Sequence, residues 1–222
     1  MLQVSEPWRQ SFPGAGVGLL VLDQVDNPVF SESLEAQKRA LEQELRERFA
    51  DRQALAADPV MRAYADYYRK FAKTYHVQQQ LESVVFKGKS IPAVAGLVEA
   101  MFMAELKSGL LTAGHDCLAL QLPLRLDVAA PDEKYLLLNG KEQLVKPGDM
   151  RISDAAGIVS SIIHGPDRRT MIQSSTQHVA YVVYAPAGIG REAILRHLSE
   201  IYTYVKLFAS RAEILMQQAV IA

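Results

Sequence analysis

The chain is predicted to be an α+β protein, a mixed or antiparallel sheet covered by helices with a long helix at the C-terminal end. Three observations predict it. Residues 134–186 read as short strands broken at turn residues. Residues 17–25, Val-Gly-Leu-Leu-Val-Leu-Asp-Gln-Val, add an apolar run of strand length far upstream. The segments around these carry apolar residues at helical spacing, and such helices need a sheet to cover. Residues 1–190 are expected to form the α+β domain. Residues 191–222 are expected to form the helix, packed on that domain or at an oligomer interface.

The first strand ends at Asp26-Asn27-Pro28. Residues 32–56 follow as a charged surface helix with Leu34, Leu41, Leu45 and Phe49 on a narrow stripe. Asp58-Pro59 starts the next helix, because Asp caps free N–H groups and Pro at the first position gives up a donor that has no partner. Its Tyr64, Tyr67 and Tyr68 read as core side chains with polar tips. A short helix over residues 80–86 leads to the basic loop Lys87-Gly88-Lys89-Ser90. Ile91-Pro92 opens a helix to about Lys107, apolar over most of its circumference, with Glu99 and Glu105 assigned to a solvated edge. Gly109 closes it, and residues 110–126 supply one or two strands around Gly114-His115-Asp116.

Within residues 134–186, Asn139-Gly140 suits a tight hairpin turn. Pro147-Gly148-Asp149 and Asp154-Ala155-Ala156-Gly157 mark further reversals, and the last strands are assigned to residues 169–173 and 178–185. In the final helix Ile194, Leu198, Ile201, Val205, Phe208, Ala212, Leu215 and Ala219 recur at steps of four and three. Such a seam must be covered, by its own domain or by a second copy in a homodimer.

Composition excludes several classes. Lys and Arg number 24 against 25 Asp and Glu, a net charge of −1, so no global basic field exists and polyanion contact must be local. The single cysteine, Cys117, excludes an internal disulfide and a Cys-based zinc cluster, and reads as a small buried side chain. No metal-ligand spacing, no Gly-x-Ser-x-Gly elbow and no complete phosphate loop is present, so neither metal nor cofactor is expected. The N-terminal segment lacks signal-peptide patterning, and no apolar run approaches the ~20 residues that span a bilayer. A cytoplasmic protein without membrane contact is expected.

Two groups of polar residues are candidates for chemistry. His115 and His164 are the candidates for moving a proton or polarising water. Thr112, Asp116, Arg168, Arg169, Thr170 and Thr176 are the candidates for holding a carboxylate or phosphate. Lys87 and Lys89 are candidates for RNA phosphate. The competing reading of Gly165-Pro166-Asp167 is a turn whose polar residues face water.

The order of several motifs resembles a known family. They are Asp58-Pro59 with Ala63-Tyr64 and Tyr68-Arg69; Lys87-Gly88-Lys89-Ser90-Ile91-Pro92 before Gly96-Leu97-Val98-Glu99; and Gly109 with Gly114-His115-Asp116. Leu138-Asn139-Gly140-Lys141-Glu142, Pro147-Gly148-Asp149, Asp154 with Gly157, and Arg168-Arg169-Thr170 before Thr176 continue the series. Over residues 17–186 the chain resembles the B3/B4 domain of the bacterial phenylalanyl-tRNA synthetase β subunit, in its free-standing form. The resemblance implies an α+β fold and a pocket that, in the synthetase, hydrolyses tyrosine wrongly attached to the phenylalanine tRNA. It implies a tRNA or an aminoacyl-type small molecule as partner, and a trans-editing aminoacyl-tRNA hydrolase as one outcome. The alternative is a non-catalytic RNA- or small-molecule-binding or protein-interaction module. The residue pattern departs from the family at four places: Glu99 stands for its usual Asp, Phe102 for its Asn, Ala113 for its editing His, and Val182 or Val183 for its Glu.

Overall fold

A computed structural model describes residues 2–222. The element order is β1 (Leu2–Val4), α1 (Glu6–Ser11), β2 (Gly16–Asp23), α2 (Glu32–Arg48), α3 (Arg52–Ala57), α4 (Pro59–Arg69), α5 (His76–Lys87) and α6 (Gly96–Ser108). It continues with β3 (Leu111–Asp116), β4 (Leu124–Val128), β5 (Lys134–Leu136), β6 (Glu142–Leu144), β7 (Met150–Asp154), β8 (Gly157–Ser161), β9 (Gly165–Pro166), β10 (Val179–Ala185), α7 (Arg191–Lys206) and β11 (Glu213–Ile221). The α+β class holds. The strands make one sheet in the order β1-β4-β7-β8-β9, a second in the order β11-β2-β10-β3, and the small hairpin β5-β6. The second sheet is antiparallel throughout, whereas the first contains one parallel pair, β1 with β4.

The strands β2 and β10 are central in their sheet and buried on both faces, which is why they read as continuous apolar runs rather than alternating ones. Tyr184 of β10 donates or accepts a 2.7 Å hydrogen bond with the Ser160 hydroxyl of β8, tying the two sheets across their shared interior. Helices α6 and α7 lie on the other face. Gly18 of β2 permits that approach, since a Cβ there would collide with Ile194 and meet Leu198 of α7. Helix α4 bridges both sheets through the three tyrosines read as core. Tyr64 donates to the Tyr184 carbonyl, Tyr67 to Asp149 at 2.7 Å, and Tyr68 to the Ile162 carbonyl at 2.7 Å.

Several boundaries differ from the sequence expectation. The helix expected over residues 32–56 breaks after Arg48 because Asp51 caps α3, accepting from the Ala54 N–H at 2.8 Å. Residues 91–95 are not helical. The Ile91 N–H is held by Glu42 and the Val94 N–H by Glu99, so α6 begins only at Gly96. Residues 169–173 form a loop rather than a strand, folded back by hydrogen bonds to Asp167 and from Asp116. Cys117 is half-buried at a short 3-10 turn, with its thiol pushed up to about 12 by burial.

The largest correction concerns the C-terminal end. The helix stops at Lys206, and residues 213–221 form β11, paired antiparallel to the open edge of β2. Phe208 therefore lies past the helix end and Leu215 and Ala219 lie on a strand, so the eight-residue seam does not exist as one helical stripe. Its helical part, Ile194, Leu198, Ile201 and Val205, is fully buried within the chain. These four side chains of the seam are covered by the chain itself. Among the described residues, no helix is long and apolar enough to cross a membrane.

Candidate functional site

The outer edge of β3 has no strand partner, and a cavity opens beside it. It measures ≈ 380 Å³ and lies between α6, β3, the start of α5 and the β8–β9 turn. Met101, Leu111, Ala113, Leu138, Ile163 and Pro166 make its apolar wall. Glu105, Thr112, Ser161, His164, Tyr184 and His76 supply its polar groups. An apolar cavity of this size with a few converging polar groups is the usual form of a small-ligand site.

Glu105 is the acid of this cavity. It sits in the last turn of α6, 4 % exposed, and accepts a 2.6 Å hydrogen bond from the Thr112 N–H on the open edge of β3. Burial pushes its carboxyl up to about 8, only partly offset by that hydrogen bond. The solvated edge expected for Glu105 and Glu99 is overturned, because both are buried. Glu99 is paired with Lys38 at 2.9 Å. The sequence signal was present: a helix apolar nearly all round is buried all round, so its acids are buried with it.

His164 is one of two imidazoles on the cavity wall, with His76. Its Nε2 is buried without a hydrogen-bond partner. Burial lowers its pKa, and the charges of Lys73 and Lys146 lower it further, so the ring is neutral at neutral pH.

The other expected residues do not converge here. Thr112 lines the cavity through its backbone edge, while its hydroxyl turns to the opposite face of the sheet and meets His197 Nε2 of α7 at 2.6 Å. His115 is fully buried and lines no part of the cavity. Its Nδ1 is 2.7 Å from the Thr170 hydroxyl, which donates in turn to Asp167. Asp116 accepts from the Thr176 hydroxyl at 2.7 Å and from the Leu118 N–H at 2.9 Å. His115, Asp116, Thr170 and Thr176 thus fasten the 167–176 loop to the end of β3. Arg169 makes a two-point contact with Asp154 at 2.8 and 2.9 Å and donates to the Ala119 carbonyl at 2.6 Å. Arg168 lines a separate opening of ≈ 480 Å³ beside the β5–β6 hairpin. Lys87 and Lys89 are exposed around Gly88, which ends α5 in the left-handed region. Of the candidates for chemistry, the structure brings only His164 and the backbone of Thr112 into one cavity. Glu105, Ser161, Tyr184 and His76 complete it, and sequence reasoning did not put them there.

No family model matches the chain, and no curated protein sequence matches it. Solved structures do. The chain is similar to an N-terminal fragment of the phenylalanyl-tRNA synthetase β subunit from Pyrococcus horikoshii, with a TM-score of 0.50 over 99 % of this chain. The two share a fold. At 12 % identity the likeness concerns the fold alone, and the chain spans 50 % of that fragment. The relationship to the synthetase subunit is therefore a distant one of architecture. Of the positions where the synthetase pattern departs, Ala113 lines the cavity and Val182 stands opposite it in register on β10. Glu99 is held by Lys38 and the Val94 N–H.

One pH effect follows from Glu105. Its proton is bound more tightly in the folded than in the unfolded chain, so its stabilising contribution is complete below about pH 4.5 and is lost as the pH rises through about 8. His115 and His197, lowered by burial to about 4 and about 3, and His76 and His164, also lowered, have the opposite sign: their contribution rises until unfolded histidine has lost its proton, about one unit above 6.5. Asp149, raised by burial to about 6, has finished by then as well. Between pH 6.5 and 8 the unfolding free energy of the wild type is expected to fall relative to that of Glu105→Gln, whose own curve rises through the histidine titration. Urea titrations at the two pH values check this, and identical pH trends in the two proteins would contradict a buried, protonated Glu105.

Proposed function

We propose that this protein takes an aminoacyl-type ligand into the cavity beside β3 and hydrolyses its ester bond, the aminoacyl end of a tRNA being the macromolecular form of that ligand. The observation that carries the reading is the unpartnered Nε2 of His164, neutral and buried on the wall of a cavity that also holds a carboxyl group. Once a shift of its surroundings admits a water to Nε2, a neutral imidazole there takes the proton of the attacking water. The apolar wall of Met101, Leu111, Ala113, Ile163 and Pro166 suits an uncharged amino-acid side chain. The architecture shared with a synthetase β-subunit fragment supports the ligand class.

A second reading has its own support. Ala113 and Val182 stand where the synthetase pattern has its editing His and, by one alignment, its Glu, which favours a cavity that holds the same ligand without cleaving it. Incubation with a panel of correctly and wrongly charged tRNAs separates the two. Hydrolysis above the buffer rate is expected for at least one aminoacyl group, reduced by about 100-fold or more in His164→Ala. Buffer-level rates across the panel, with amino-acid carboxamides still binding in equilibrium dialysis, would leave the binding module. Buffer-level rates with no binding would remove both readings.

A further inference from the structure

We propose that Glu105 is the anionic subsite for the ligand's α-ammonium group, so that the cavity accepts ligands with a free amino group and rejects N-acylated ones. The inference rests on the ligand class argued above and names what selects within it. Glu105 is buried on the cavity wall, and its recorded hydrogen bond, from the Thr112 N–H, engages one carboxylate oxygen. Among the described residues no basic side chain pairs with it. The neighbouring cation, Lys107, points away and binds Glu200 at 2.6 Å.

The groups around Glu105 come from five elements, and none supplies a counter-charge. From α4, Tyr64 and Tyr68 give their hydroxyl protons to the carbonyls of Tyr184 and Ile162. Tyr75, ahead of α5, gives its own to the Gly109 carbonyl at 2.8 Å. His197 of α7 is buried and held neutral between Thr112 and Ser108. His164 is neutral on the β8–β9 turn, and His76 stands at the start of α5 with Nδ1 3.3 Å from the Tyr68 hydroxyl. An isolated acid facing an apolar cavity is costly to ionise until a cation arrives, and a charged hydrogen bond formed there is strong.

This arrangement couples binding to a proton. In the empty cavity at pH 7 the Glu105 carboxyl carries its proton, since burial has raised it to about 8. Docking an ammonium group breaks the carboxyl O–H bond, the proton leaves to solvent and the ammonium keeps its own. Most of one proton is therefore released for each ligand bound, less the proton taken up by the fraction of ligand amine that is neutral at pH 7. An N-acylated ligand brings no charge, releases no proton and places its acyl group against Glu105.

The test uses the 222-residue wild-type chain and Glu105→Gln with the carboxamides of phenylalanine, tyrosine, leucine and alanine, their N-acetyl counterparts and the analogues lacking the amino group. Carboxamides resist hydrolysis, so binding is read alone, by calorimetry at pH 7 in two buffers of different ionisation enthalpy. In the wild type the free-amine form is expected to bind about 10- to 100-fold more tightly than the N-acetyl and deaminated forms, with proton release. Glu105→Gln keeps an acceptor for the Thr112 N–H and is expected to bring the three forms within a few-fold and abolish the release. Equal wild-type affinity for free and N-acetyl forms would overturn the inference and leave the cavity reading standing, whether or not the variant folds. A preference that survives in Glu105→Gln would overturn it as well. Binding of no member of the panel would remove the ligand class and this inference with it.

Discussion

Lys38→Ala is expected to lower the unfolding free energy by about 3–5 kcal/mol, the usual result of removing one partner from a buried ion pair. Lys38 leaves α2 to meet Glu99 of α6 at 2.9 Å, and the two side chains are 3 % and 5 % exposed. Glu35, one turn earlier on α2, also contacts the ammonium group. Burial alone would lower the Lys38 pKa, but the hydrogen bonds and charges of Glu35 and Glu99 outweigh it and hold the group above its usual value. Without the lysine, Glu99 remains buried, and its other oxygen is already occupied by the Val94 N–H. The combined change Lys38→Met with Glu99→Gln is expected to recover most of the loss, because the one carboxylate then left without the lysine, Glu35, is partly exposed to water. Urea unfolding of the single and double variants measures both. A single-variant loss below about 1 kcal/mol would place the pair among exposed ion pairs of little consequence.

Leu198→Ala is expected to cost about 2–5 kcal/mol without changing the molecular mass in solution. Leu198 is fully buried, with its Cδ1 over the bare backbone of Gly18 in β2. Truncation opens a void between α7 and a sheet that cannot move inward, since β2 is held on both sides by β10 and β11. The same variant distinguishes the two ways of covering the seam. If α7 joined two copies, truncation would convert a dimer to a monomer with little loss of protomer stability, a combination that light scattering and chemical unfolding detect together.

Local chemistry was legible wherever a residue acts on its own neighbours. Asp58 accepts from the N–H groups of Val60 and Met61, so Asp58-Pro59 is the helix start that it resembles. Gly109 ends α6 at φ +76°, and Gly140 turns the β5–β6 hairpin at φ +78°. Residues 17–25 and 178–185 read as strands, and β2 and β10 form there. The C-terminal misreading has a physical cause. Leu215 and Ala219 continue the steps of three and four that run along α7, but a strand can present them as well, and the open edge of β2 offered backbone partners that no sequence window contains.

The candidate site was harder to read for the same reason. Arg169 carries the charge expected of an anion subsite, yet Asp154 already satisfies it. His115 carries the imidazole expected of a base, yet Thr170 and the sheet interior enclose it. His164 lines the cavity, and its Nε2 has no such partner.

The α+β class, most of the strands and the capped ends of α4 and α6 were determined by the sequence itself, because periodicity, turn residues and caps act over a few residues. Which polar side chains are already engaged, and which face an empty space, was decided only by the tertiary structure. That question depends on contacts between segments far apart in the chain, as when His164 arrives from the other sheet beside Glu105 and Thr112. Hydrogen bonds and burial set the chemistry of a side chain, and both are properties of the neighbours that folding supplies.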